Sequence, residues 1–538
     1  MRDAEVAVLI VGGGPVGLTV RALLERWGVS ALLVERHTEL SPFPRSRLVN
    51  VRSMEIFRGL GLAGRITARA FAPRYGRVRF RDTLSGADFA SAAMAGVHAP
   101  VPESPALGVC TSQDRLEPVL LDAADAPVRF GVELIGLTEE FGGVTARLTD
   151  HRTGAEGRIR ARYVLAADGA HSTVRDLLDI GTAGPGALGG VTTVVFDADL
   201  DRWCADRPAG VYFTARGSFT PLYPEGGWAW FGPTPENADG TDWGGLVAAA
   251  LGPGTAVRPE VLRVQHWVME ARVAERLRHG RILLAGDAAH AVPVIGGLGM
   301  NAGVADAHNL AWKLAGVLQG WAGPGLLDTY EAERHPVARE TLRQAVANAR
   351  LLREVQDRRR AQLRAGDVVP DQVQPPWADR YFAQLGLVLG VAYRSAAVLT
   401  ATDAPPEPPE PGTDYTPTVR PGHRMPHLWL TGDRSALDTL GAWFTLLTPD
   451  PTRWAPPTAV PVPLHIEPLA REHTESYALG PHGALLVRPD GHIAAHWPDG
   501  PRTPGTLTEA LTALTGARDH AGRRWSGTSR SGGSADAT

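Results

Sequence analysis

The chain is nearly devoid of lysine: Lys313 is the only one among 54 basic residues, the rest being arginine. That bias hints at a GC-rich genome, an inference about codons rather than chemistry. Acidic residues number 58, so the formal net charge is −4, and no basic tract occurs, which leaves no electrostatic footprint for nucleic acid. Cysteine is also scarce. Cys110 and Cys204 are too few for a disulfide framework, a thiolate zinc site or an iron–sulfur cluster, and no metal site is expected. No apolar run approaches the ~20 residues of a membrane span. The first run, Val6 to Val11, is short and follows acidic residues, which suits a buried strand and not a signal peptide. These absences point to reducing cytoplasm and to a protein that binds neither nucleic acid nor membrane. At 538 residues and 44% hydrophobic content, two or three globular domains are expected.

What is present begins with a glycine cluster. Val6 to Val11 runs directly into Gly12-Gly13-Gly14-Pro15-Val16-Gly17. Val16, Val20, Leu23, Leu24 and Trp27 then mark one face of a helix that Gly28 ends. Ala31 to Val34 reads as a second strand, closed by Glu35. The glycines have distinct roles in binding a dinucleotide. Gly12 permits the tight turn, Gly14 lets the backbone approach a pyrophosphate seated on the helix N-terminus, and Gly17 lets helix and strand pack closely. Glu35 follows Gly14 by 21 residues, near the ~20 expected of the acid that binds a ribose hydroxyl. The motif alone does not choose between FAD and NAD.

Two later motifs make that choice. Arg158 to Ala167 reads as a strand leading into Asp168-Gly169-Ala170-His171-Ser172-Thr173-Val174-Arg175. Arg281 to Ala285 reads as another, ending in Gly286-Asp287-Ala288-Ala289-His290. Pro293 and Gly296-Gly297-Leu298-Gly299-Met300-Asn301 follow, and then a helix with Ala302, Ala305, Leu310, Leu314, Val317 and Leu318 at its apolar positions. In this order and spacing, the three motifs resemble the FAD-dependent aromatic hydroxylases, the para-hydroxybenzoate hydroxylase-like flavoprotein monooxygenases. Pro44-Arg45, Asn50-Val51-Arg52-Ser53-Met54-Glu55 and Ser112-Gln113-Asp114-Arg115-Leu116-Glu117 resemble segments of its aromatic-polyketide branch, the anthracycline and angucycline hydroxylases. The resemblance covers residues 5–350 well and the remainder more loosely. One departure is Pro293-Val294, where the family usually has two prolines. No second Gly-x-Gly-x-x-Gly opens a separate NADPH domain, which suits a family whose reductant binds only transiently.

The resemblance implies an α/β fold: a Rossmann-like FAD-binding domain of the para-hydroxybenzoate hydroxylase type, an inserted β-sheet substrate domain and a C-terminal thioredoxin-like domain. Residues 1–180 with 270–400 form the first, 181–269 the second and 413–516 the third. A proline-rich linker at 403–412 precedes the third, and residues 519–538 read as a disordered tail. Strands are expected at Gly190 to Leu200, Val211 to Ala215, Trp228 to Phe231, Gln265 to Glu270, Trp443 to Leu447 and Ala484 to Val487. The C-terminal domain contains no cysteine, so it has no dithiol chemistry and reads as structural.

It also implies FAD as cofactor, NADPH or NADH as co-substrate and dioxygen as oxidant. Cofactor contacts fall on Gly12, Gly14, Pro15, Val16, Gly17, Glu35, Arg36, Arg45, Gln113, Asp168, Gly169, Asp287, Pro293, Gly296, Gly297, Gly299, Met300 and Asn301. Among these, Arg45 neutralises the pyrophosphate, Asp168 and Gly169 lie near the pyrophosphates of FAD and NADPH, and Asp287 binds the ribityl chain. The glycines at 296–299 bring N–H groups to the isoalloxazine, and the helix N-terminus stabilises its anionic reduced form. Phe213, Tyr223, Trp228 and Trp230 are candidates to hold a flat polycyclic aromatic substrate, with at least half of the aromatic supply expected in the core. Arg394, in Ala392-Tyr393-Arg394-Ser395-Ala396, is the candidate for a positive charge favouring a phenolate. His290 reads as structural, and no general base is specified. The implied activity is hydroxylation of an aromatic polyketide through a flavin 4a-hydroperoxide, in antibiotic biosynthesis, by a monomer or homodimer. Baeyer–Villiger or multi-step remodelling of a polycyclic quinone, inactivation of an aromatic antibiotic, and a non-catalytic flavin-binding protein stay open as alternatives.

Overall fold

The computed structural model describes residues 4–365, 384–400, 415–456, 460 and 462–516. The expected linker at 403–412 and tail at 519–538 lie outside the described residues.

Ala4–Val11 is apolar because both its faces are covered. It pairs in parallel with Ala31–Glu35 on one side and with Glu156–Ala166 on the other, and Val128–Phe130 and Ile282–Leu284 extend the same parallel sheet outward. Val8, Leu9 and Ile10 have no solvent exposure, the condition that calls for a continuous Val/Leu/Ile run. Helix Pro15–Arg26 packs against this sheet and against the long helix Gly299–Gln319. Because these strands are parallel, their carboxyl ends emerge along one edge. Gly12, Glu35, Asp168 and Asp287 follow or end four of them, so motifs far apart in sequence meet at the edge where such folds bind their ligands.

The second large sheet also has eight strands. Their order is His290–Ala291, Glu260–Ala274, Thr182–Asp197, Gly226–Pro233, Gly217–Tyr223, Val211–Thr214, Arg77–Arg81 and Asp88–Ala93. The four strands read from the sequence within 181–269 are present, and Gly217–Tyr223 is an additional one. The far edge comes from residues 77–93, inside the stretch that sequence reading gave to the FAD domain. Its Arg-Val-Arg-Phe-Arg alternation marks a half-buried strand, but nothing local says that it pairs in parallel with Val211–Thr214. Neighbouring residues of a strand point to opposite faces, and Tyr212 and Phe213 divide the two. Tyr212 joins Phe196, Phe219, Trp228, Trp230 and helix Trp243–Leu251. Phe213 joins Phe71, Phe80, Met94, Cys110 and Leu48, on the face turned to the FAD domain.

The third unit carries a four-stranded sheet in the order Leu464–Pro468, Phe444–Thr448, Ala484–Val487, Ile493–Trp497, followed by helix Thr506–Thr515. Its first pair is parallel and the rest antiparallel, the thioredoxin-like arrangement expected. It docks through buried charge. Glu333, on helix Asp328–Ala365, accepts from Arg488 Nη1 at 2.6 Å and Nη2 at 2.8 Å, from Lys313 Nζ at 2.7 Å, from Ser395 Oγ at 2.6 Å and from Asn309 Nδ2 at 2.6 Å. Arg488 also holds Asp490 at 2.5 Å. Burial alone would raise the Glu333 carboxyl; Arg488 and Lys313 outweigh it and hold it at about 2. Burial lowers the Lys313 ammonium to about 8 against the pull of Glu333. The network therefore favours the shared anion, which faces two cations, more than the lysine, which also feels Arg488. Arg424 makes a second crossing, with Nε 2.9 Å from Glu55 Oε2. Among the described residues, no helix is long and apolar enough to cross a membrane.

Candidate active site

The glycine turn has the close approaches that its spacing demands. Gly12 has φ +108°, and a Cβ there would lie 2.3 Å from the Ala167 carbonyl oxygen. A Cβ on Gly17 would lie 2.0 Å from the Gly12 oxygen. Gly14 is different. Its backbone is ordinary extended chain, and apart from its two chain neighbours no described residue has a heavy atom within 4 Å of where its Cβ would be. That open space lies over the start of helix Pro15–Arg26, which has no acidic residue in its first turn and no side-chain cap. Pro15 opens the helix, Val16 follows, and the unpaired N–H groups of the first turn present the positive end of the dipole. An anionic pyrophosphate fits this end. Glu35 is held beside it: the Gly13 N–H donates to Oε2 at 2.6 Å and the His37 N–H to Oε1 at 2.9 Å. Arg36 is exposed.

The other strand ends add charge and open acceptors. Asp168 Oδ2 accepts from the Val174 N–H at 3.0 Å, while its Oδ1 is buried without a partner among the described residues. Burial raises this carboxyl. Gly169 turns with φ +84°. Arg175 donates to the carbonyls of Ala170 at 2.9 Å and Ala288 at 3.2 Å, tying the second motif to the third. Asp287 reaches solvent, yet the surrounding protein raises its carboxyl by desolvation, opposed by His290 and Arg45. Arg45, itself exposed, also acts on Glu117, which feels Glu35 in turn. Electrostatic interaction thus links Asp287 to Arg45, Arg45 to Glu117 and Glu117 to Glu35. Gln113 stands beside them, accepting from the Ser46 N–H at 3.3 Å and donating to Glu117 Oε1 at 2.7 Å.

The loop before helix Gly299–Gln319 closes the far end. Gly296 and Gly297 have φ +97° and +64°, and a Cβ on Gly297 would lie 2.7 Å from Leu48 Cδ2. Asn301 latches the loop, donating to the carbonyls of Gly297 at 2.7 Å and Leu48 at 2.8 Å and accepting from the Asn50 N–H at 2.9 Å. Pro293 is buried and Met300 half-buried, and a Cβ on Gly299 would stand 3.8 Å from Asp287 Oδ1. His290 is buried with Nε2 2.6 Å from Asp306 Oδ2, and Arg334 Nε donates to the other oxygen at 2.6 Å. The open helix end, the oriented Glu35, the unpartnered Asp168 oxygen and the glycine loop fit an FAD laid across the strand ends.

The substrate candidates divide. Tyr223 donates its hydroxyl to Asp114 Oδ2 at 2.6 Å, joining the second sheet to helix Gln113–Leu121. Phe213 stacks on Phe80 at 5.1 Å, facing the FAD domain. Trp228 and Trp230 are corrected to core. They pack on the opposite face with Tyr212 and Phe219, because in the antiparallel ladder Trp230 lies opposite Phe219 and Phe219 opposite Tyr212, and Trp230 Nε1 donates to the Arg216 carbonyl at 2.9 Å. Arg394 is exposed between anchored neighbours: Tyr393, which accepts from Arg334, and Ser395, which donates to Glu333.

A model of the FAD binding domain matches residues 5–345, and one of the C-terminal domain of aromatic-ring hydroxylases matches residues 418–517. The chain belongs to the FAD-dependent aromatic-ring hydroxylases. It is 35% identical to aklavinone 12-hydroxylase of Streptomyces purpurascens, over 96% of this chain and 98% of that one. It is 37% identical to 4-methyl-5-nitrocatechol 5-monooxygenase of a Burkholderia species, over 95% and 98%. Among solved structures, the flavin-dependent monooxygenase PieE with FAD and substrate superposes with TM-score 0.83 at 33% identity, over 95% of this chain and 99% of that one. As a member of the family the hydroxylase is a monooxygenase with FAD as cofactor and NADPH or NADH as reductant.

Sequence reasoning missed two groups in this hydroxylase. Arg47 sits in an irregular segment, where no periodicity marks a buried position. Glu117 carries one signal, its place four residues after Gln113 on the same helix face. Burial raises its carboxyl to about 7, and its Oε2 has no partner among the described residues. The folded chain therefore holds this proton more tightly than the unfolded chain does. The stability it contributes is complete below the ordinary value of 4.5 and is lost as pH rises through about 7, a change of roughly 3 kcal/mol at most. In the apoprotein, Glu117→Gln is expected to remove this loss, so urea unfolding at pH 5 and pH 8 should differ less in the variant than in the parent.

Proposed function

We propose that this hydroxylase adds one oxygen atom to a polycyclic aromatic polyketide, in the cytoplasm and in the service of antibiotic biosynthesis. The observation that carries this reading is its likeness, across both domains, to aklavinone 12-hydroxylase and to tetracenomycin A2 monooxygenase-dioxygenase, each 35% identical. The face turned to the FAD domain supports it. Phe71, Phe80, Phe213 and Met94 offer an apolar wall to a flat ring system, next to Leu48, which rests on Gly297 of the glycine loop. FAD, when bound, supplies the activation of dioxygen. The residues of this chain have the remaining tasks: Asn301 fixes the loop, the aromatic wall orients the ring, and its burial keeps water away from the reacting centre. The 37% identity to 4-methyl-5-nitrocatechol 5-monooxygenase favours a second reading, in which the substrate is a single-ring phenol.

The test is NADPH oxidation under air by the FAD-loaded protein, with aklavinone, other polycyclic phenols and 4-methyl-5-nitrocatechol, followed by mass analysis. A polycyclic phenol is expected to accelerate NADPH consumption and to leave as a product heavier by one oxygen atom. Acceleration by the nitrocatechol alone would move the assignment to single-ring phenols. Bound FAD with no ligand-stimulated turnover would favour a flavin carrier.

A further inference from the structure

Arg47 is half-buried as a residue, but its guanidinium is turned inward and its hydrogen bonding is incomplete. Its Nε and Nη2 are buried with no partner among the described residues, and Nη1 reaches only the Gly210 carbonyl, at 3.4 Å. The backbone is fixed, since the Arg47 carbonyl accepts from the Thr111 N–H at 3.0 Å. The guanidinium lies 5.6 Å from the centre of the Phe71 ring. Burial lowers it to about 10, so it stays charged at neutral pH. Three groups of potential negative charge act on it, Cys110, Asp114 and Tyr223. Two of them are neutral, because burial pushes the Cys110 thiol up to about 11 and the Tyr223 hydroxyl up to about 12. The third, Asp114, accepts from Tyr223 through Oδ2, and its buried Oδ1 makes no hydrogen bond to Arg47 or to any other described residue. A buried guanidinium with unmet donors is costly by itself, and its planar fork is suited to an oxyanion.

The position of Arg47 says which oxyanion. The next residue, Leu48, contacts the glycine loop at Gly297 and belongs to the apolar cluster of Phe71, Met94, Cys110 and Phe213. The charge thus stands at the rim of the wall against which an aromatic ring would lie. We propose that Arg47 is a specificity-determining residue that binds an ionised phenol oxygen of the substrate through Nε and Nη2. This rests on the hydroxylase reading above. A phenolate bound there has released its proton to solvent, and the ring it leaves is more electron-rich, as ring hydroxylation requires.

The test uses FAD-loaded parent, Arg47→Gln and Arg47→Lys proteins. The probes are alizarin, a hydroxyanthraquinone that changes colour on ionisation, and its dimethyl ether, which does not ionise. Affinity and the charge state of bound alizarin are read from its absorbance. The parent is expected to bind alizarin as the anion, with its phenol pKa lowered by about 1 unit. Arg47→Gln should weaken alizarin binding about 10- to 100-fold and abolish the pKa shift, while leaving the ether unchanged. Arg47→Lys should restore part of both effects. Equal weakening of phenol and ether, no weakening, or a parent that does not bind alizarin would overturn the proposal. FAD content is measured first. A parent without flavin speaks against the hydroxylase reading, whereas flavin retained in all three proteins makes the alizarin result a test of Arg47 alone.

Discussion

Gly14→Val is expected to give a folded protein without flavin. The position takes a side chain easily, with φ −74° and ψ −177° in extended backbone and, apart from its two chain neighbours, no heavy atom of the described residues near a Cβ. Stability of the apoprotein should therefore change by no more than about 0.5 kcal/mol, as at an open surface site. The added methyl groups nevertheless stand over the first turn of helix Pro15–Arg26, where an anion meets unpaired N–H groups. Losing two charge-assisted hydrogen bonds of ~1.5–3 kcal/mol each corresponds to at least ~100-fold weaker FAD binding. The measurement is flavin absorbance of the purified protein, together with titration of the apoprotein by FAD. A yellow variant with parental affinity would show that the pyrophosphate lies elsewhere. Gly12→Val is the contrasting control, because its side chain would strike the Ala167 backbone, and it should impair folding and flavin binding together.

Glu333→Ala is expected to destabilise the protein by about 3–5 kcal/mol, the cost of removing one member of a buried ion pair. Lys313 and Arg488 have no exposure, and both lose the carboxylate that neutralises them. Asp490 still serves Arg488, but Lys313 would be left uncompensated. Unfolding in urea, followed by circular dichroism, gives the size of the effect. The double variant Glu333→Leu/Lys313→Met should recover much of the loss, since it removes the orphaned lysine as well. An alanine variant as stable as the parent would mean that the network contributes nothing to docking.

The parts of the site legible in the sequence are those in which the backbone itself does the work. Gly12 and Gly17 were readable because only glycine fits a carbonyl at such distances, and the apolar runs ending in Asp168 and Asp287 were readable because strands buried on both faces need them. Side-chain facing within the antiparallel sheet was not readable. Phe213 and Trp230 both sit in aromatic strands, and which one turns to the FAD domain depends on pairing that links Thr182–Asp197 to residues 77–93. Nor was Arg47, since an arginine looks exposed until the chains that bury it are known. The ion network was invisible for a related reason. Arg488 and Glu333 are 155 residues apart, and no local pattern relates them.

That same separation has a temporal meaning. At ribosomal speeds of roughly 5–20 residues per second, Arg488 is made about 8–30 s after Glu333. During that interval the helices of the flavin domain hold an acid with one of its two cations missing. Domains made first ordinarily finish first, but here an acid of the flavin domain is completed by a residue of the third unit. A product terminated before Arg488 would keep every glycine of its cofactor cradle and still carry a half-neutralised core, and is expected to be cleaved by proteases faster than the full chain.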